Sequence, residues 1–246
     1  MSQLFKNKKL RAGFTLVELL AVMAIVMILA AVIIAIQPGN PEGLSSAQRI
    51  SMGVFRTARY QAMQAQNPDR NPETNPLYNI RSRVLVLNDS TNEDQHLRMI
   101  RVIIGGTRNV NSSEPSDYYW YTVAADEMLP KNVYFISPDE GSLGTNRKSR
   151  VNNKDASGTT MRFNYEASLV GQAEGSGDTE WYFYEFNQDG TSNMNMATFM
   201  VSEGDWDPSL KKPIFRNKNN VTGFAIVPSG AIVPYNDPDE MDKGNT

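Results

Sequence analysis

Gly13-Phe14-Thr15-Leu16-Val17-Glu18-Leu19 lies between a basic leader and an apolar run. It puts a carboxylate where a membrane-spanning helix tolerates one least. From Phe14 to Ile36 there are 23 residues, and only Thr15 and Glu18 are polar. As a helix this run would be about 34 Å long, enough to cross the hydrocarbon core of a bilayer. An ionised Glu inside such a span costs roughly 2.5–3.5 kcal/mol on insertion scales, so it needs a cationic partner. No Lys, Arg or His occurs between Phe14 and Gln48, so that partner has to come from another chain. Lys6, Lys8, Lys9 and Arg11 precede the span, which orients the leader to the cytoplasm and everything after about residue 37 to the other side.

At these residues the sequence resembles the type IV pilins and pseudopilins, whose precursors carry a short basic leader ending in Gly, then Phe-Thr-Leu-Val-Glu and an apolar helix. The resemblance implies that a prepilin peptidase cuts between Gly13 and Phe14 and that the new amino terminus at Phe14 is N-methylated. It also implies that Glu18 attracts the terminal amine of a neighbouring subunit during assembly. That amine would supply in trans the positive charge the helix lacks. A simple signal anchor, with Glu18 near the membrane edge, is the competing reading of residues 1–36. A secretory signal peptide fits worse, because the apolar region is too long and no small-residue cleavage site follows it.

The net charge of −3 hides an asymmetry: the 13-residue leader holds four basic residues and no acid, so its removal leaves −7. Such a chain has little general affinity for nucleic acid. There is no cysteine, so an exported head has to hold together by burial rather than by disulfides. The residues after the anchor suffice for one globular domain.

Gln37-Pro38-Gly39-Asn40-Pro41-Glu42-Gly43 is expected to interrupt the helix. Helical spacing returns from Leu44 to about Gln66, with Ala47, Ile50, Val54, Ala58, Ala62 and Ala65 on one stripe. Residues 67–79 read as loop. Strands are expected at 83–87, 97–104, 118–123, 133–136, 161–165, 181–186, 197–201, 222–227 and 231–235. Residues 138–158 and 171–179 read as linking segments. With what the resemblance implies, the expected division is a leader at 1–13, a transmembrane and filament-core helix at 14–36, a kinked linker and amphipathic helix at 37–66, and a β-rich periplasmic head at 67–246. The fold class is α+β and pilin-like: a long N-terminal helix, half in the membrane and half amphipathic, packed on a mainly antiparallel sheet.

Phe55-Arg56-Thr57-Ala58-Arg59-Tyr60-Gln61-Ala62 followed by a strand resembles the opening of the GspH/FimT-like minor pseudopilins. Phe186-Asn187-Gln188-Asp189-Gly190 and the hairpin around Ser229-Gly230 are similar to that group's closing motifs. Catalytic constellations are missing from the sequence: His96 is the one histidine, and there is no Cys, His-Glu-x-x-His or Gly-x-Ser-x-Gly. No enzyme activity, cofactor or metal site is expected. Arg147, Lys148, Arg150 and Lys154 form a basic cluster that a DNA-uptake subunit would use, or a solvated loop. Asn236, Asp237, Asp239, Glu240 and Asp242 match no calcium-loop template.

The expected function is a non-enzymatic, minor subunit of a type II secretion pseudopilus or type IV pilus-like filament. It would sit in the bacterial inner membrane by a single span, with its head in the periplasm. Its expected partners are the prepilin peptidase, other pilin or pseudopilin subunits and the inner-membrane assembly platform. The alternative is a DNA-uptake or adhesive minor pilin whose head loops bind ligand.

Overall fold

Pro41, expected to break a helix, begins one. The computed structural model describes Leu20, Val22, Met23, residues 25–27, Glu240, and residues 41–235 except 65, 70, 71, 112–116, 141, 142, 144–146, 152–160, 167–170, 195, 216 and 218. Helix α1 (Pro41–Gln64) starts on that proline. A first helical turn leaves its N–H groups without intrahelical partners, so a residue lacking one fits there, with φ already set. The helix ends just short of the expected Gln66, ahead of Pro68.

Leu44, Ala47, Ser51, Val54, Phe55, Ala58 and Ala62 form the buried stripe of α1, at the 3–4 spacing of one helical face. Ile50, expected on this stripe, lies half-buried on its flank. Ser51 is admitted because its hydroxyl donates to the Ala47 carbonyl at 2.8 Å, so nothing polar is stranded. Ala65 lies outside the described residues.

Strands follow in two sheets and a ribbon. The larger sheet contains β1 (Tyr78–Leu87), β2 (Met99–Thr107), β3 (Tyr118–Thr122), β4 (Glu127–Met128), β6 (Arg162–Phe163), β7 (Gln172–Ala173) and β8 (Thr179–Phe186). Its order is β6-β8-β1-β2-β3-β7, with β4 also beside β2. The smaller sheet orders β13 (Ile232–Pro234), β12 (Val221–Ile226), β9 (Ala197–Glu203) and β5 (Val133–Phe135). The strands β10 (Asp205–Asp207) and β11 (Lys212–Ile214) pair with each other. Every pairing among the described residues is antiparallel, so this part of the chain is α+β as expected. The expected strands all appear with shifted ends. β4, β7, β10 and β11 were not expected: they are two or three residues long, too short for alternation to register. β7 falls inside the expected 171–179 linker, and Tyr78 and Asn79 of the expected 67–79 loop belong to β1.

Alternation along β1 sorts its faces. Val84 and Val86 point to α1 and join its core, while Leu85 and Leu87 belong to a second cluster on the opposite face. Ser82 faces α1 and donates to the Ala58 carbonyl at 2.6 Å. Phe55 is the hub of the first core, with ring centroids 4.8 Å from Tyr184, 5.0 Å from Phe224 and 5.3 Å from Phe199. Helix α1 therefore packs against both sheets at once. Trp120, Trp181, Phe183, Met161 and Phe163 fill the second core.

The chain divides into two units, Met1–Gly39 and Asn40–Thr246, and the second holds all of these elements. Among the described residues no helix is long and apolar enough to cross a membrane. Of the apolar run, Leu20, Val22, Met23 and residues 25–27 are described; they are helical and exposed.

Candidate functional site

Two regions carry candidate function, and they differ in what the structure says of them. Gly13, Phe14 and Glu18, with the leader charges Lys6, Lys8, Lys9 and Arg11, lie outside the described residues. The second region is where the three short head motifs meet.

Arg59 comes from α1, off its buried stripe. Its Nε donates to the Gly190 carbonyl at 3.0 Å and its Nη2 to the Ser229 carbonyl at 3.1 Å. One guanidinium therefore ties two turns to the helix. In the first turn, Asp189 accepts from the Thr191 amide and hydroxyl at 2.9 and 2.6 Å. These bonds, the hydroxyl's foremost, hold the Asp189 carboxyl below the usual carboxylate range. Gly190 and Gly230 have φ of +78° and +73°. A Cβ on Gly230 would stand 1.8 Å from the Gly190 carbonyl oxygen, so glycine is needed there for space as well as for φ. Phe186, which leads into the first turn, is fully buried 6.4 Å from Phe55. Arg59 is not among the residues of the apolar stripe that the spacing predicts. The available signal was that Asp-Gly and Ser-Gly turns both leave carbonyls in need of a donor.

Beside this junction is a groove of about 290 Å³ lined by Arg56, Arg59, Tyr60, Met63, Gly230 and Ile232. On the other flank of α1 a second groove of about 260 Å³ includes Arg49, Ile50, Gly53, Val54, Ile100 and Val102. Between them Arg49, Gly53, Arg56 and Tyr60 of the helix's outward face are exposed.

The basic cluster is not one loop. Arg147 donates to the Asn219 side chain at 3.0 Å. Arg150 pairs through its backbone with Thr198 of β9, and Ser149 between them is buried, accepting from the Met200 amide at 3.0 Å. Residues 147–150 are thus strapped to β9 of the smaller sheet, with the Arg150 side chain exposed and Lys148 half-buried. Lys154 lies outside the described residues, as do Asn236, Asp237, Asp239 and Asp242 of the acidic tail. Among the described residues no group of three or more His, Cys, Asp or Glu could hold a metal ion. His96 is buried against Trp206, ring centroids 5.7 Å apart and edge-on.

Residues 8–34 match the model of the prokaryotic N-terminal methylation motif. The match supports the type IV pilin and pseudopilin family, and with it a structural subunit that is processed at its N-terminus, anchored in a membrane and assembled with other pilin subunits. Neither the curated proteins nor the solved structures contain a match.

Proposed function

We propose that this chain is a non-enzymatic filament subunit of a type II secretion pseudopilus or a type IV pilus-like fibre. The observation that carries the reading is the methylation-motif match over residues 8–34. Residues 1–13 are the leader, 14–36 the inner-membrane anchor and later filament core, 37–66 the linker and amphipathic helix, and 67–246 the periplasmic head. Prepilin peptidase cuts between Gly13 and Phe14, and Phe14 is N-methylated. The inner-membrane platform then extracts the subunit into a bundle of N-terminal helices.

Lipid and a neighbouring helix are equally apolar, so association gains little from hydrophobicity and depends on packing and polar pairing. Glu18 provides the pairing. An ion pair in low dielectric is sensitive to geometry, and here it selects the register at which a neighbour's Phe14 amine lies alongside. The meeting of the three head motifs at Arg59 supports the minor, GspH/FimT-like group.

Mass spectrometry of protein from its own cells tests the reading: the mature chain should begin with N-methylated Phe14, and an intact Met1 terminus would defeat it. Glu18→Ala should leave cleavage unchanged and reduce incorporation into filaments. Wild-type assembly of that variant would remove the docking role.

A further inference from the structure

The outward face of α1 has a seam of its own. Arg49, Gly53, Arg56, Tyr60 and Met63 recur at spacings of four and three, the pattern of a helix face that meets another surface. Tyr60 is 61% exposed and Met63 53%. Two large apolar side chains side by side on a solvent face are unusual for a helix that already has a complete buried stripe. Gly53 has nothing within 4 Å of where a Cβ would stand, so a partner can approach the backbone there. Arg56 is exposed and makes no ion pair among the described residues. After Glu42 the helix has no acid. It is a basic face on a chain that is acidic once the leader is gone.

The complement lies at the other end of the same head. Ser82 stands at Ala58, while Ile100, the β2 partner of Val86, shares a groove with Ile50 and Val54. Strand β1 therefore runs antiparallel to α1, and the turn after Leu87 is about 20 Å along the strand from the level of Arg56. There a cavity of about 550 Å³ is lined by Asp89, Thr91, Asn92, Glu93, Asp94 and Tyr165. Glu93 and Asp94 are exposed, and their carboxylates make no ion pair among the described residues.

We propose that these two surfaces meet between copies of this chain: Arg56 of one head enters the Asp89–Asp94 cavity of a second, and the rim of that cavity covers Tyr60 and Met63. The inference rests on the filament-subunit reading and names the contact between successive heads. The two patches are different surfaces, so the contact is head-to-tail and repeats as an open helical array. Charge complementarity sets its orientation and makes it salt-sensitive. A minor subunit forms it wherever two copies are added in succession.

The chain has no cysteine, so introduced thiols report the contact without background. In peptidase-positive cells, the full-length chain carrying both Arg56→Cys and Glu93→Cys should give a ladder of disulfide-linked multimers on mild oxidation. Each single variant should give no ladder. A missing ladder on chains that begin with methylated Phe14 overturns the contact and leaves the filament reading standing, whereas a retained leader overturns both. A product joining this chain to a different protein assigns the face to another subunit and overturns the self-contact. A dimer from Arg56→Cys alone, as abundant as the double variant's products, indicates symmetric helix pairing and also overturns it. In a second arm, Arg56→Glu should lower the assembled fraction severalfold and Glu93→Arg in the same chain should restore it. Failure to restore it counts against the proposal.

Discussion

His96 and Arg83 show how single residues carry the stability of this head. Burial pushes the His96 imidazole down to about 4, only partly opposed by Asp89, and its Nδ1 has no hydrogen-bond partner among the described residues. An unfolded chain keeps histidine near its ordinary value of about 6.5. Between these two values the unfolded state binds the extra proton. Stability present above about pH 6.5 is therefore lost as pH falls toward 4, up to about 3 kcal/mol. The melting temperature should drop between about pH 7 and pH 4.5, and the drop should be shallower in His96→Phe. An unchanged pH slope in that variant would show that the histidine is not the group responsible.

Arg83 is 4% exposed between Glu185 at 2.6 Å and Glu174 at 2.8 Å, and it lies over the rings of Trp120 and Phe183 at 4.0 and 4.3 Å. Desolvation pulls its pKa down, but the two carboxylates outweigh it and hold the value above the ordinary one. Breaking such a buried set strands a charge. Glu185→Ala should cost about 3–5 kcal/mol in urea unfolding. A loss below about 1 kcal/mol would mean that water reaches the site.

At the scale of elements, α1 and its C-terminal end were legible and its start was not. The Leu44–Ala62 periodicity is a property of side chains and survives any placement. The reading of Pro41 depended on whether a helix was already under way, which local sequence does not say. The two turns signalled carbonyls in need of a donor but not that Arg59 supplies it, because a donor on a helix and carbonyls in two distant turns come together only after the sheets form. Gly230→Ala adds a Cβ against the Gly190 carbonyl at positive φ and should cost about 2 kcal/mol. Arg59→Ala should cost about 1 kcal/mol, because the part-buried Gly190 carbonyl loses its donor while water takes over at the exposed Ser229 carbonyl. A double variant whose loss falls short of the sum of the two would show that they act on one junction.

For the whole molecule, the deciding contact is Phe55, which faces rings from β8, β9 and β12 and so locks α1 to both sheets. Phe55→Ala should cost about 3–5 kcal/mol in equilibrium unfolding. If tryptophan fluorescence of a Trp206→Phe background, which reports Trp120 and Trp181 on the opposite face, followed a different transition from circular dichroism, the two cores would not unfold as one.

Composition and local pattern alone determined the apolar 14–36 run with its lone acid, the lack of a disulfide option, the amphipathic stripe and the strands long enough to alternate. Each rests on residues near one another in the chain, where spacing translates directly into a face. Only the tertiary structure decided that the strands divide between two sheets, that Arg83 of β1 turns inward to the buried carboxylates of Glu185 and Glu174, and that Arg59 draws two turns onto the helix. Those outcomes depend on which distant groups are close enough to satisfy a charge or a carbonyl once water is excluded, and a linear order of residues does not contain that distance.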